Sequence, residues 1–138
     1  VMSDLKKRNQ FPKREHLYGD SAIEHLYEKG DSFFLFPYRV TLARALEDET
    51  EPLRILVSVS KKRFKHAVDR NCMKRRMREA YRLNKHSLYE YLNKKEEKLY
   101  VGIQFVGTKL EASSFLRKKM SKLLSHLLVG LENGRYEL

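Results

Sequence analysis

The chain has 138 residues, 41% of them hydrophobic and 11% aromatic, enough for one packed core and too apolar for wholesale disorder. Its 29 Lys and Arg outnumber 18 Asp and Glu, a net charge of +11 that selects a polyanionic partner, nucleic acid ahead of an anionic membrane surface. A single cysteine, Cys72, excludes an internal disulfide framework; the polar, basic start lacks a secretory apolar core, and no run nears the ~20 apolar residues that cross a bilayer, so a cytoplasmic protein is expected.

One domain is expected over residues 1–138, opening with a basic extension, 1–18, and closing with a tail, 129–138. "GDSAIEHLYEKG" (19–30) predicts a short helix. Asp20 or Ser21 can cap it, Glu24 completes a capping box, Ile23, Leu26 and Tyr27 share a face, and Gly30 is placed to stop it. "SFFLFPYRVTLARAL" (32–46) predicts one long strand, with Phe34, Phe36, Tyr38, Val40 and Leu42 on the apolar side. Phe33, Leu35, Pro37, Arg39 and Thr41 point the other way, and Pro37 suggests an edge or a bulge. The acidic "EDETE" (47–51) reads as a solvated loop, lacking the alternating oxygens and central Gly of a calcium loop.

"LRILVSVS" (53–60) predicts a second strand, its row Ile55, Val57 and Val59 opposing Arg54, Leu56, Ser58 and Ser60. A hairpin across 47–52 is the simple pairing. A long helix then runs over about 68–92, burying Met73, Met77, Ala80, Tyr81, Leu88, Tyr91 and Leu92. Asn71, Lys74, Arg75, Arg78, Arg82 and Lys85 occupy a neighbouring, cationic arc. A third strand (98–107) and a closing amphipathic helix (111–134), with Gly130 and Gly134 as stops, complete the chain. The order helix–strand–strand–helix–strand–helix predicts an α+β two-layer sandwich on a small mixed sheet.

The charge is concentrated. Residues 61–85 hold eleven basic and two acidic side chains, a net +9 of the chain's +11. Within 67–82, five arginines and one lysine face only Asp69 and Glu79, a crowding of like charge that works against an isolated helix. The planar guanidinium fork suits phosphates and stacked bases, and Asn71 lies in the first turn, where the helix dipole favours anions. This is a nucleic-acid face.

A DNA-binding basic zipper would need heptad leucines, but stepping by seven from Leu83 gives Glu90 and Glu97, so DNA is not the expected partner. A self-sufficient nuclease would need clustered carboxylates or a placed base. Asp69 and Glu79 are no such pair, and His16, His25, His66, His86 and His126 show no ligand spacing. No catalytic residue and no metal site are assigned to the chain.

The stretch "RNCMKRRMREAYRL", entered from "VSVSKKRFKHAV", resembles the bacterial ribonuclease P protein subunit, whose signature is Arg-Asn-x-x-Lys-Arg-x-x-Arg after a strand ending Ser-Lys-Lys. The matching positions are Arg70, Asn71, Lys74, Arg75 and Arg78, with Ser60, Lys61 and Lys62 ahead; the basic segment Leu5 to Asn9 and the element order to about Leu128 also fit. Cys72 and Arg76 depart from the family pattern, as if one charge had moved a turn along the helix. The resemblance implies a left-handed strand–helix–strand crossover and docking on the catalytic RNA of ribonuclease P through Lys61, Lys62, Arg70, Asn71, Lys74, Arg75, Arg78 and Arg82. It implies that a cleft holds the single-stranded 5′ leader of precursor tRNA, lined by Ile23, Tyr27, Phe33, Leu35, Arg39, Thr41, Ser58 and Ser60. It implies that magnesium belongs to the RNA partner, with no cofactor on the protein and no membrane or DNA partner. The alternative is a general RNA-binding or ribosomal-type protein without a role in tRNA maturation.

Overall fold

The computed structural model describes residues 10–138, so the basic segment at 5–9 lies outside the described residues. A 3₁₀ turn (Lys13–Glu15) precedes α1 (Asp20–Lys29), β1 (Asp31–Leu35), β2 (Tyr38–Arg44), β3 (Leu53–Val59), α2 (Ala67–Asn84), α3 (His86–Lys94), β4 (Leu99–Phe105) and α4 (Ser113–Glu132). The sheet order is β1-β2-β4-β3; β4 runs antiparallel to β2 and parallel to β3. The α+β mixed-sheet sandwich is therefore present, with one strand more than expected.

The expected strand over 32–46 is two strands. Phe36 and Pro37, joined by a cis peptide bond, form the turn between β1 and β2. Pro37 has no N–H for a ladder, so the chain reverses where the hydrogen-bond pattern must lapse. Reversal also swaps parity: Phe33 pairs with Val40, and Phe34 with Arg39. The apolar row assigned to Phe34 and Phe36 thus breaks; they are 60% and 52% exposed, while Tyr38, Val40 and Leu42 are buried.

The expected 47–52 hairpin is absent as well. β4 inserts between β2 and β3, and the β3–α2–α3–β4 crossover makes a parallel pair instead. Both faces of β4 are largely buried, and a fully covered strand belongs at the centre of the sheet. Arg54 Nε meets Glu49 Oε1 at 2.5 Å, and Lys98 Nζ donates to the Glu49 carbonyl at 2.6 Å. The acidic loop is tied down through these bonds, with Glu49 buried inside it.

On one face, Val40, Leu42, Ile55, Val57, Val101 and Ile103 pack against Met73, Met77, Ala80 and Tyr81 of α2, Leu88 and Leu92 of α3, and Leu116, Met120 and Leu127 of α4. The helix expected over 68–92 divides at Lys85, a buried residue that leaves the cationic arc to meet Glu15 at 2.6 Å. On the opposite face α1 lies over one end only, where Leu17, Leu26, Ala43 and Tyr100 form a second apolar cluster. Gly19 caps α1, with no side-chain capping bond from Asp20 or Ser21. Gly30 ends it as expected, since a Cβ there would sit 2.3 Å from the Leu26 carbonyl oxygen. At the far end α4 runs through Gly130, and the tail folds back so that Tyr136 lies against that glycine.

Candidate nucleic-acid interface

The end of β3 leads through Ser60, Lys61, Lys62 and Arg63 into α2. Lys61 and Lys62 are exposed on this turn, and the Lys62 amide donates to Ser60 Oγ at 3.3 Å. On α2, Asn71, Arg75 and Arg78 are exposed and Lys74 half-exposed. At about 100° per residue these four fall on one arc beside the buried Met73–Met77–Tyr81 stripe. None of Lys61, Lys62, Lys74, Arg75 or Arg78 forms an ion pair with an acid among the described residues. Their field is left for an outside anion.

Two of the expected contact residues are engaged within the chain. Arg70 donates to the Phe64 and Lys65 carbonyls at 2.8 and 2.9 Å, clamping the loop that precedes its own helix. Arg82 pairs with Glu79 at 2.5 Å, which holds the Glu79 carboxyl below its ordinary range and raises the guanidinium. Arg76 does not extend the cationic arc. Its guanidinium caps the Glu111 carbonyl at 2.5 Å, on the side where α2 meets α4. Arg75 Nη2 lies 4.0 Å from Cys72 Sγ, so Cys72 sits beside the cationic crest.

The open sheet face continues from this surface. Register sets two rows across all four strands: Ser58–Gln104–Arg39–Phe34 and Leu56–Gly102–Thr41–Ser32. One hollow of ≈ 210 Å³ is lined by Tyr27, Ser32, Arg39, Thr41, Gly102 and Gln104. A second, ≈ 310 Å³, shares Arg39 and Gln104 and adds Phe34, Ser60, Lys62 and Arg63. Arg63 donates to the Val106 carbonyl, which fixes it at the rim. Tyr27 leans from α1 over the floor. A Cβ on Gly102 would come within 3.1 Å of the Tyr27 hydroxyl and of Leu26 Cδ2, so the missing side chain makes the room under that ring. Partial burial pushes the Tyr27 hydroxyl upward, and it stays a protonated donor at neutral pH.

Of the expected cleft row, the structure brings together Tyr27, Arg39, Thr41, Ser58 and Ser60. Phe33 and Leu35 lie on the other face because the β1–β2 turn swaps parity, and Phe33 packs against His126 and Tyr136 at 4.8 and 5.8 Å. Ile23 is half-buried in the cluster beneath α1. Sequence reasoning missed Phe34, Ser32, Gly102 and Gln104. The signal for the last two was present, since they alternate with the apolar Val101, Ile103 and Phe105. Among the described residues, no group of His, Cys, Asp and Glu could hold a metal ion, and no helix is long and apolar enough to cross a membrane.

The family model Ribonuclease P matches residues 11–128. The chain is 40% identical over 114 residues to the ribonuclease P protein component of Porphyromonas gingivalis, covering 81% of this chain and 82% of that one. It is 30% identical over 138 residues to that of Chlorobium phaeobacteroides, covering 92% and 93%. In fold it is similar to the ribonuclease P protein of Staphylococcus aureus, with a TM-score of 0.61 at 20% identity over 82% of this chain and 94% of that one.

Proposed function

This chain belongs to the ribonuclease P protein family, and on that premise we propose that α2 docks on the catalytic RNA while the open sheet face holds the 5′ leader of precursor tRNA. The chain is the protein component of a ribonucleoprotein endoribonuclease, and the reading gives the phosphodiester chemistry, with its magnesium, to the RNA. Work in the cytoplasm belongs to the same reading.

The observation that carries it is the set Lys61, Lys62, Lys74, Arg75 and Arg78, exposed or half-exposed and without an acidic partner among the described residues. Five such cations, each releasing a counterion, make RNA affinity fall by about 10²- to 10³-fold between 50 and 200 mM salt. Arg70 and Arg82 serve this surface by holding its shape, since their guanidinium groups already have partners.

The leader follows from the neighbouring floor. A single strand needs cations that track phosphates and rings that accept bases. Arg39 and Lys62 supply the first; Tyr27 and Phe34 supply the second, each stack contributing about 1–3 kcal/mol. Gln104 offers an amide edge between them that can donate and accept. A double-stranded acceptor stem gives no unstacked base to such a floor, so the cleft favours precursor over mature tRNA.

Reconstitution tests the assignment. The chain and its cognate RNA together, at low magnesium, are expected to mature a precursor tRNA at its 5′ end, with neither component sufficient alone. Cleavage by the polypeptide unaided, or no stimulation of the RNA, refutes it.

A further inference from the structure

A third cavity, ≈ 270 Å³, lies on the outer flank of β3, where it borders the cationic arc of α2 through Arg78. Phe11, Lys13, His16, Tyr18, Val57 and Arg78 contribute to its lining. Three features converge there. His16 stacks on Phe11 with ring centroids 3.9 Å apart and planes 14° from parallel, and it also lines the cavity. β3 is an edge strand, and the Ile55 carbonyl turns outward to accept the Leu17 amide at 2.8 Å. Two residues on, Val57 directs its own N–H and C=O the same way, and among the described residues no strand lies beyond it. Finally, Lys13 and Arg78 bring positive charge to the lining, and Arg78 belongs to the cationic arc of α2.

A flat aromatic wall, a peptide edge offering one donor and one acceptor, and flanking cations are what a nucleobase with its phosphates requires. An apolar cavity of about 150 Å³ accepts benzene, so the volume here suffices for a base. We propose that this edge cavity takes one unstacked nucleobase of the RNA partner, laid on the His16 ring and read by the Val57 peptide. The proposal rests on the docking reading and adds a base-accepting site to a surface otherwise made of phosphate contacts.

The test is the affinity of the cognate ribonuclease P RNA for the wild-type chain, His16→Leu and His16→Phe at 50 and 200 mM salt, with a thermal melt of each. Leu keeps the bulk and removes the π face; Phe keeps both. His16→Leu is expected to weaken binding about tenfold by the same factor at both salt concentrations, because stacking releases no counterion. His16→Phe is expected to bind within about twofold of wild type. Ultraviolet crosslinking of the wild-type complex, which needs no variant, is expected to join a nucleotide to the 11–18 segment. The cavity assignment is overturned by wild-type affinity in His16→Leu, whether or not its melt falls. Equal weakness in His16→Phe, or crosslinks confined to α2, overturns it too. Absence of salt-dependent RNA binding by the wild-type chain is a separate result, and it removes the docking reading together with the proposal.

Discussion

The Lys85 ammonium donates to the Glu15 carboxylate at 2.6 Å, with only 5% and 4% of the two side chains exposed. Lys85 also donates to the Gln10 carbonyl and lies within 6.0 Å of the Phe11 ring centroid. It therefore pins the 10–18 segment across the end of α2. A buried pair is costly to break from one side, because the remaining charge loses both water and partner. Lys85→Met should destabilise the fold by about 3–5 kcal/mol, whereas Lys85→Met with Glu15→Leu should recover most of the loss. Urea unfolding of the two variants decides it; equal destabilisation would show that packing, not charge, holds the segment.

Arg75→Ala with Arg78→Ala should leave the melt unchanged, since neither guanidinium makes an ion pair among the described residues. RNA affinity should fall and the salt slope should decrease by about 2. The loss is then about tenfold larger at 50 mM than at 200 mM salt. Arg70→Ala should behave differently. Releasing the Phe64 and Lys65 carbonyls costs stability, about 1–3 kcal/mol, so its binding defect should come with a lower melt.

These contrasts mark where the sequence was legible. Charge density located α2, and helical periodicity found its buried stripe, because both are local properties of neighbouring residues. Which cations stay available was not local. Arg70 and Arg76 are the same residue type as Arg75, and Lys85 the same as Lys74, so their partners at Phe64, Lys65, Glu111 and Glu15 are set by the folded path. The cleft divided in the same way. Alternation placed Arg39, Thr41 and Ser58 on the open face, since each lies within one uninterrupted strand. It misplaced Phe33 and Leu35 because parity was carried through the Phe36–Pro37 turn, where the chain reverses. The position of β4 between β2 and β3 is a long-range pairing that periodicity does not encode.

Tyr27 and Gly102 meet in one hollow of the cleft, where a Cβ on Gly102 would come within 3.1 Å of the Tyr27 hydroxyl. Tyr27→Ala should weaken binding of leader-bearing precursors by about tenfold and leave mature tRNA unaffected. Gly102→Val tests the same floor from below, since its side chain would fill the space under the Tyr27 ring. Competition between precursor and mature tRNA on the reconstituted enzyme reads both. Equal losses on the two substrates would remove the leader from this face.

Acid should unfold the protein through Glu49. Burial pushes its carboxyl up, but hydrogen bonds from Arg54, the Glu51 amide and Tyr100 outweigh it and hold the group at about 2. A folded-state value below the unfolded 4.5 means that the folded state binds the proton more weakly, so stability rises with pH through this window. The contribution is complete above about pH 5 and is lost as pH falls toward 2. Its size is at most about 3 kcal/mol. Glu49→Gln should thus be less stable than wild type at pH 7 by about 1–3 kcal/mol, part of it from the Arg54 charge left without its partner. Between pH 5 and pH 2.5 the wild type should lose stability faster than the variant, so that the two urea midpoints converge. A gap that stays constant over that range would place the acid sensitivity outside Glu49.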